Sequence, residues 1–288
     1  MSASQGGRSR FRQAVAILFQ QRSSAIGTSI TLIFVLAALF GPVVAPYGLN
    51  QQLTSATFQP PSLAHWFGTD QLGRDVFSRV LLGARDILAF AGVGTLLAII
   101  LGATIGLFSG YTGGVVDEII MRAFDGLLAL PAMLLALLLL ASLASSDLSV
   151  IIVLVVVYTP IVARVVRSVV LSVKELAYVR AARLQGEGLG WILYRAILPA
   201  TYPALAVEGA LRFSYAIFLI ASLGFLGIGF QPPSDNWGMM VSDARQLTSA
   251  APWALYFPAA AIAVVVVGVN LLADGLKRIA QTPPDPRS

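Results

Sequence analysis

Glu208 and Arg212 stand four residues apart inside a run, 204–226, that is otherwise apolar. On a helix this spacing puts both side chains on one face, the geometry of an intrahelical ion pair. Charged groups at membrane depth either line a cavity or pair with one another. Two readings follow: a site in a solute path that meets a zwitterion, or a structural pair near the end of a span. Asp125, and the four-apart pair Asn270 and Asp274, fall within a turn or so of span ends. That is shallow for a proton relay, and the pair Asn270 and Asp274 is expected instead to bond to a neighbouring helix or loop. Two polar stretches lie between the apolar runs. One, 178–199, reads YVRAARLQGEGLGWILYRAILP, with a small pair (Ala181, Ala182), a turn glycine (Gly186), Glu187 and a closing Leu198-Pro199. A helix lying across a membrane face needs a small side if another protein is to approach it closely. Glycine ends such a helix by permitting positive φ, and proline suits the first turn of the next one. The other stretch, GTDQLGRD, holds Asp70, Arg74 and Asp75 just after His65, the only histidine. It is either a self-satisfied salt-bridged loop or a surface for an external protein. His65 is expected to be solvent-exposed or a hydrogen-bond partner within the loop.

Missing chemistries narrow the class. Without cysteine there is no disulfide, thiolate metal site or cysteine nucleophile. One histidine alone makes no zinc or haem site, and no metal site is expected. A phosphate-binding loop requires a lysine directly after glycine, whereas Lys174 and Lys277, the only lysines, follow other residues. The glycines at 186, 188 and 190 lack the strand–turn–helix setting of a dinucleotide site. Neither G-x-S-x-G nor H-E-x-x-H occurs. No catalytic residue and no cofactor of its own are expected for this chain.

These residues must be positioned by membrane helices. Of 288 residues, 57% are hydrophobic and only 11% charged, against about 25% charged in soluble domains; mean hydropathy is +0.81. Apolar runs approach the roughly 20 residues a helix needs to cross hydrocarbon, and helices satisfy their own backbone there. The fold class expected is an all-α membrane protein with six transmembrane helices, at 25–44, 87–108, 119–146, 148–170, 200–226 and 254–273. A basic tail, 1–24, precedes them and a short tail, 281–288, follows. The 45–86 segment, broken by Pro42, Pro46, Gly48 and Pro60-Pro61, is the longest loop, and 87–280 forms one core without internal repeat. The first run mimics a secretion signal but is longer than a signal core, and is read as a retained anchor. Pro131 and Pro160 are expected to kink their spans. Arg164 and Arg167 are expected to snorkel at a helix end. Gly102, Gly106 and Gly110 form a ridge for close helix contact, with another subunit or within the chain.

Six spans put both termini on one side. Arg8, Arg10, Arg12, Arg122, Arg183 and Arg195, with both lysines, share that side, against Arg74, Arg79, Arg85 and Arg245 on the other. The positive-inside rule places the richer side, termini included, in the cytoplasm. The net charge of +5 is thus topological, and nucleic acid, which wants a basic folded patch with stacking aromatics, is not an expected partner.

The A-A-x-x-x-G then L-P spacing of 181–199 resembles the EAA loop of bacterial ABC importer permeases. PSLAHWFGTDQLGRDVFSRVLLGAR (61–85), GYTGGVVDEIIMRAFDGLLALP (110–131), FLGIGFQPPSDNWG (225–238) and NLLADGL (270–276) resemble, in order, the C-type permease of dipeptide, oligopeptide and nickel importers. The resemblance spans about residues 28–280. It implies a type I, MetI-like permease in the bacterial inner membrane. By implication 171–199 is a coupling loop in which Arg180, Ala181, Ala182, Gly186, Glu187, Leu198 and Pro199 meet an ATPase. Arg180 stands where that family usually has glutamate. Implied partners are the lipid bilayer, a homologous second permease, two ATPase subunits that carry the ATP and Mg, and an extracytoplasmic solute-binding protein that Asp70, Arg74 and Asp75 help receive. The implied solute is a di- or oligopeptide, with nickel or a small solute such as haem as rivals. Outside this class stand an ATP-independent secondary transporter and an assembly protein without a transport role.

Overall fold

The computed structural model describes residues 21–48, 51–52, 57–143, 146–229, 234 and 236–281. Most of the two tails, parts of the 45–86 segment and the centre of FLGIGFQPPSDNWG lie outside the described residues. Those described form helices and connecting turns: α1 (Arg22–Val44), α2 (Val76–Thr112), α3 (Gly114–Leu128), α4 (Ala132–Ser142), α5 (Asp147–Val173), α6 (Ala177–Leu184), α7 (Leu189–Phe225), α8 (Trp237–Ala244) and α9 (Pro252–Gln281). Helices α1, α2, α5, α7 and α9 are long and apolar enough to cross a membrane. The chain is an all-α membrane protein.

The third expected span, 119–146, is not one helix. It is the pair α3 and α4, bent by 92°. Pro131 explains the break, because it offers no N–H and drives the preceding residue out of helical conformation. At 11 residues, α4 is about 16 Å long by helix rise, half of the hydrocarbon thickness of about 30 Å. Pro160, by contrast, is accommodated within continuous α5.

Two other boundaries differ from the expected 87 and 200. Helix α2 starts at Val76, inside the segment taken as loop, because Asp75 caps it by accepting from the Ser78 amide at 2.8 Å. The helical run α7 starts at Leu189, but its regular α-helix opens at Leu198 with Pro199 in the first turn, as expected. Residues Ile192–Ile197 form a π-helical stretch just before that proline. The wider turn suits a residue that lacks an i→i−4 donor and whose ring would crowd that carbonyl.

Close helix contact organises the core. A Cβ added at Gly94, Gly102, Gly106 or Gly110 would strike Leu154, Val162, Ala163 and Val166, or Val170. Helices α2 and α5 therefore run parallel, and the glycine ridge serves a neighbour in the same chain. At one end of the bundle Leu107, Val166, Val170, Val179, Ile192 and Ile197 bury one another. At the other end Trp237 is fully buried and donates Nε1–H to the Val80 carbonyl at 2.9 Å. Gly238 admits no side chain, since a Cβ would sit 1.9 Å from the Ala221 carbonyl oxygen. Helix α1 rests on α9 where Gly27 and Gly268 let the two backbones meet.

Candidate functional site

Helix α6 is the short helix expected near Ala181 and Ala182. Adjacent helical residues point about 100° apart, so the two alanines do not share a side. Ala182 is buried against the chain's own core, and Ala181 is exposed. Val179, fully buried, joins the cluster with Ile192 and Ile197. The Arg183 guanidinium lies 5.0 Å from the Tyr111 ring centre, a contact of the cation–π kind. The helix ends at Gly186, φ 79°, where the Gly186 amide donates to the Arg183 carbonyl and the Glu187 amide to that of Ala182. These paired bonds are a Schellman cap. The outward stripe is Tyr178, Ala181, Leu184 and Gln185, with Leu184 88% exposed at the tip. Arg180 donates to Glu175 at 3.0 Å, both side chains exposed. Glu187 is exposed as well.

Beneath α6 lies a network that residue spacing did not single out. Asp117 accepts from Arg167 Nε at 2.6 Å and Nη2 at 2.5 Å, and from the Ser109 hydroxyl. Asp125 pairs with Arg164. The two arginines expected to snorkel are thus ion-paired to α3, Arg164 through Asp125 and Arg167 through Asp117. Lys174 Nζ donates to the Gly110 carbonyl at 2.9 Å. Spacing could have exposed this only if Asp117 and Arg167, fifty positions apart, had been known to meet.

Glu208 and Arg212 do pair, Oε2 to Nε at 3.1 Å, with side-chain exposures of 15% and 12%. The two atoms approach without hydrogen-bond alignment. They lie midway along Leu198–Phe225, beside Tyr158 at the middle of α5, and not near a span end. The Arg212 guanidinium also lies 4.9 Å from the Tyr215 ring centre. The hydroxyls of Thr95 and Thr159, buried on α2 and α5, have no hydrogen-bond partner. Asn270 is half-buried and Asp274 exposed on α9.

At the far end, Asp70 accepts from Arg74 at 2.6 Å and from Arg79 at 2.8 Å. Asp75 accepts from the Ser78 amide and hydroxyl and contacts His65 Nδ1 at 2.9 Å. His65 is 5% exposed, which removes the solvent-exposed alternative and leaves the loop partner. The loop is pinned to α9 by Trp253 Nε1–H donating to the Thr69 carbonyl at 2.9 Å and by stacking of Phe67 on Phe257 at 3.9 Å. Among the described residues no cluster of histidine, cysteine or carboxylates could hold a metal.

Residues 102–282 match the family of binding-protein-dependent transport system inner membrane components, and 9–61 match the N-terminal membrane domain of oligopeptide transport permease C. A dipeptide transport system permease protein of Alkalihalophilus pseudofirmus is 40% identical over 93% of this chain and 88% of its own. A probable D,D-dipeptide transport system permease protein of Escherichia coli K12 is 36% identical over 93% and 91%. A glutathione transport system permease protein of Pectobacterium atrosepticum is 36% identical over 90% and 87%. Sharing that family's membrane helices over nearly its whole length, the chain belongs to the binding-protein-dependent transport permeases.

Proposed function

We propose that this chain forms half of the translocation path of an ATP-driven importer for di- or oligopeptides, driven through α6 by separate ATPase subunits. A homologous permease supplies the other half. Two ATPases bind the ATP and Mg on the cytoplasmic side, which also holds both termini, and a solute-binding protein docks outside. The observation that carries this is α6 itself: one face is built into the ends of α2, α5 and α7, and the other presents an exposed, mostly apolar stripe with Leu184 at its tip. A helix so mounted transmits force to the spans that hold it. ATP-bound and ATP-free ATPases need only prefer different arrangements of those spans to alternate access to the path.

The relatives' names support a peptide solute, and Glu208 with Arg212 offers one charge of each sign at mid-depth. Asp70 and Asp75 are committed to their own loop. Contact with the binding protein therefore falls to the apolar side chains they hold outward, Leu63, Trp66 and Leu72.

The test is Leu184→Asp in the co-expressed complex. Burying a charge in an apolar seat costs well over the 1.4 kcal/mol that equals a tenfold affinity change. Co-purified ATPase is expected to fall at least about tenfold, and ATP-dependent peptide uptake with it. Undiminished ATPase binding would show that α6 is not the seat. Uptake by the purified chain alone under an ion gradient would favour a secondary transporter.

A further inference from the structure

We infer that the Asp117–Arg167 ion pair is a positioning contact that makes the bent span α3–α4 move with the coupling helix. The inference rests on α6 being the seat of the ATPase. An ordinary helix is held to its protein by an apolar face. In α3 the only buried residue is Asp117, 7% exposed, while Val115, Val116 and Ile119 face outward. What binds α3 to α5 is charge: a bidentate pair from Asp117 to Arg167 and a second pair from Asp125 to Arg164, while Asp117 also accepts from the Ser109 hydroxyl near the end of α2. Bidentate guanidinium–carboxylate contacts fix orientation as well as distance. Arg164 and Arg167, three apart, use one face of α5, and α5 ends just before α6 begins.

The other attachment of α3 is a hinge. Gly113 (φ 64°) and Gly114 (φ 60°) join it to α2. A Cβ at Gly114 would meet nothing, and one at Gly113 would meet only the Lys174 ammonium at 4.0 Å. These glycines therefore supply backbone conformation, not close approach. Joined to α2 through these glycines and the single Ser109 hydroxyl, and tied by two ion pairs to α5, α3 follows α5, and through Pro131 it carries α4 and Met133 to the edge of the groove between α7, α8 and α9.

The experiment uses the assembled importer in liposomes and reads ATP hydrolysed per peptide imported. It also reads the separation of spin labels at Val115 and at Leu176, exposed at the start of α6 and off its outward stripe, in ATP-free and ATP-trapped states. With native Asp117 the labelled importer is expected to keep one Val115–Leu176 separation in both states. Asp117→Asn, the same size without the charge, is expected to leave basal hydrolysis within about twofold and cut uptake about tenfold, since it removes the charge that holds the bidentate pair. Its labels are expected to spread over several separations. Asp117→Glu, which keeps the charge, is expected to restore both readouts. A wild-type ratio and a single separation in Asp117→Asn would overturn the inference. Should that variant fail to assemble, a wild-type separation that changes between states would overturn it alone. Insensitivity of ATPase binding to Leu184→Asp would instead remove the reading of α6, and leave the fixed Val115–Leu176 separation standing.

Discussion

Glu208 and Arg212 sit at half the depth of the bundle, within reach of each other yet with neither atom fully bonded. Unsatisfied polar atoms in a dry interior are costly, and Thr95 and Thr159 add two more on the flanking helices. Such a layer is retained where water or a polar solute completes it. The double substitution Glu208→Gln with Arg212→Gln keeps shape and removes both charges. Expected is normal assembly with peptide uptake reduced about tenfold, since charged hydrogen bonds contribute about 1.5–3 kcal/mol each; uptake at the wild-type level would make the pair structural. The pairing itself was legible, because four residues is one helical turn. Its depth was not, since an apolar run does not mark its own midpoint within a helix that begins at Leu189. The same limit applies to Gly102, Gly106 and Gly110: small residues at four-residue spacing announce close contact, but only the fold says that the neighbour is α5. Asp117 and Arg167 were invisible for the opposite reason, as no local pattern links positions fifty apart.

At the scale of elements, apolar runs located the crossing helices because lipid enforces both composition and length. The run 119–146 contains enough apolar residues for one span, yet residue counting assumes a continuous helix. Pro131 removes that continuity and the two arms meet at 92°. Spin labels at Val115 and Leu138, both exposed, measure this directly. Using a rise of 1.5 Å per residue, a continuous helix would separate them by about 35 Å, and arms at right angles by about 25 Å. The native chain has no cysteine, so a label pair is free of background. The shorter separation is expected, and the longer one would restore a straight span. The 178–199 loop shows a related lesson. Gly186 ended its helix and Leu198-Pro199 opened the next regular α-helix as their types foretold, while the π-helical stretch Ile192–Ile197 between them is one that no propensity signals.

For the whole molecule, class was written in composition, by 11% charged residues, and the distribution of arginines sets the orientation to be expected. Helices α2 and α5 run parallel, so Leu63, before the start of α2, and Leu184, beyond the end of α5, mark opposite ends of the bundle. They are also among the most exposed apolar side chains, at 97% and 88%. A bilayer around α2 and α5 must separate them, and the positive-inside rule assigns Leu184 to the cytoplasm. Single Leu63→Cys and Leu184→Cys variants, expressed without partners that could cover either site, are therefore treated with a maleimide that cannot cross the inner membrane. Leu63→Cys is expected to react in intact spheroplasts. Leu184→Cys is expected to react only once the membrane is opened, because its route to reagent is through the cell. Reaction of Leu184→Cys from outside would invert the chain, put α6 beyond the reach of any cytoplasmic ATPase and leave the bundle without its motor.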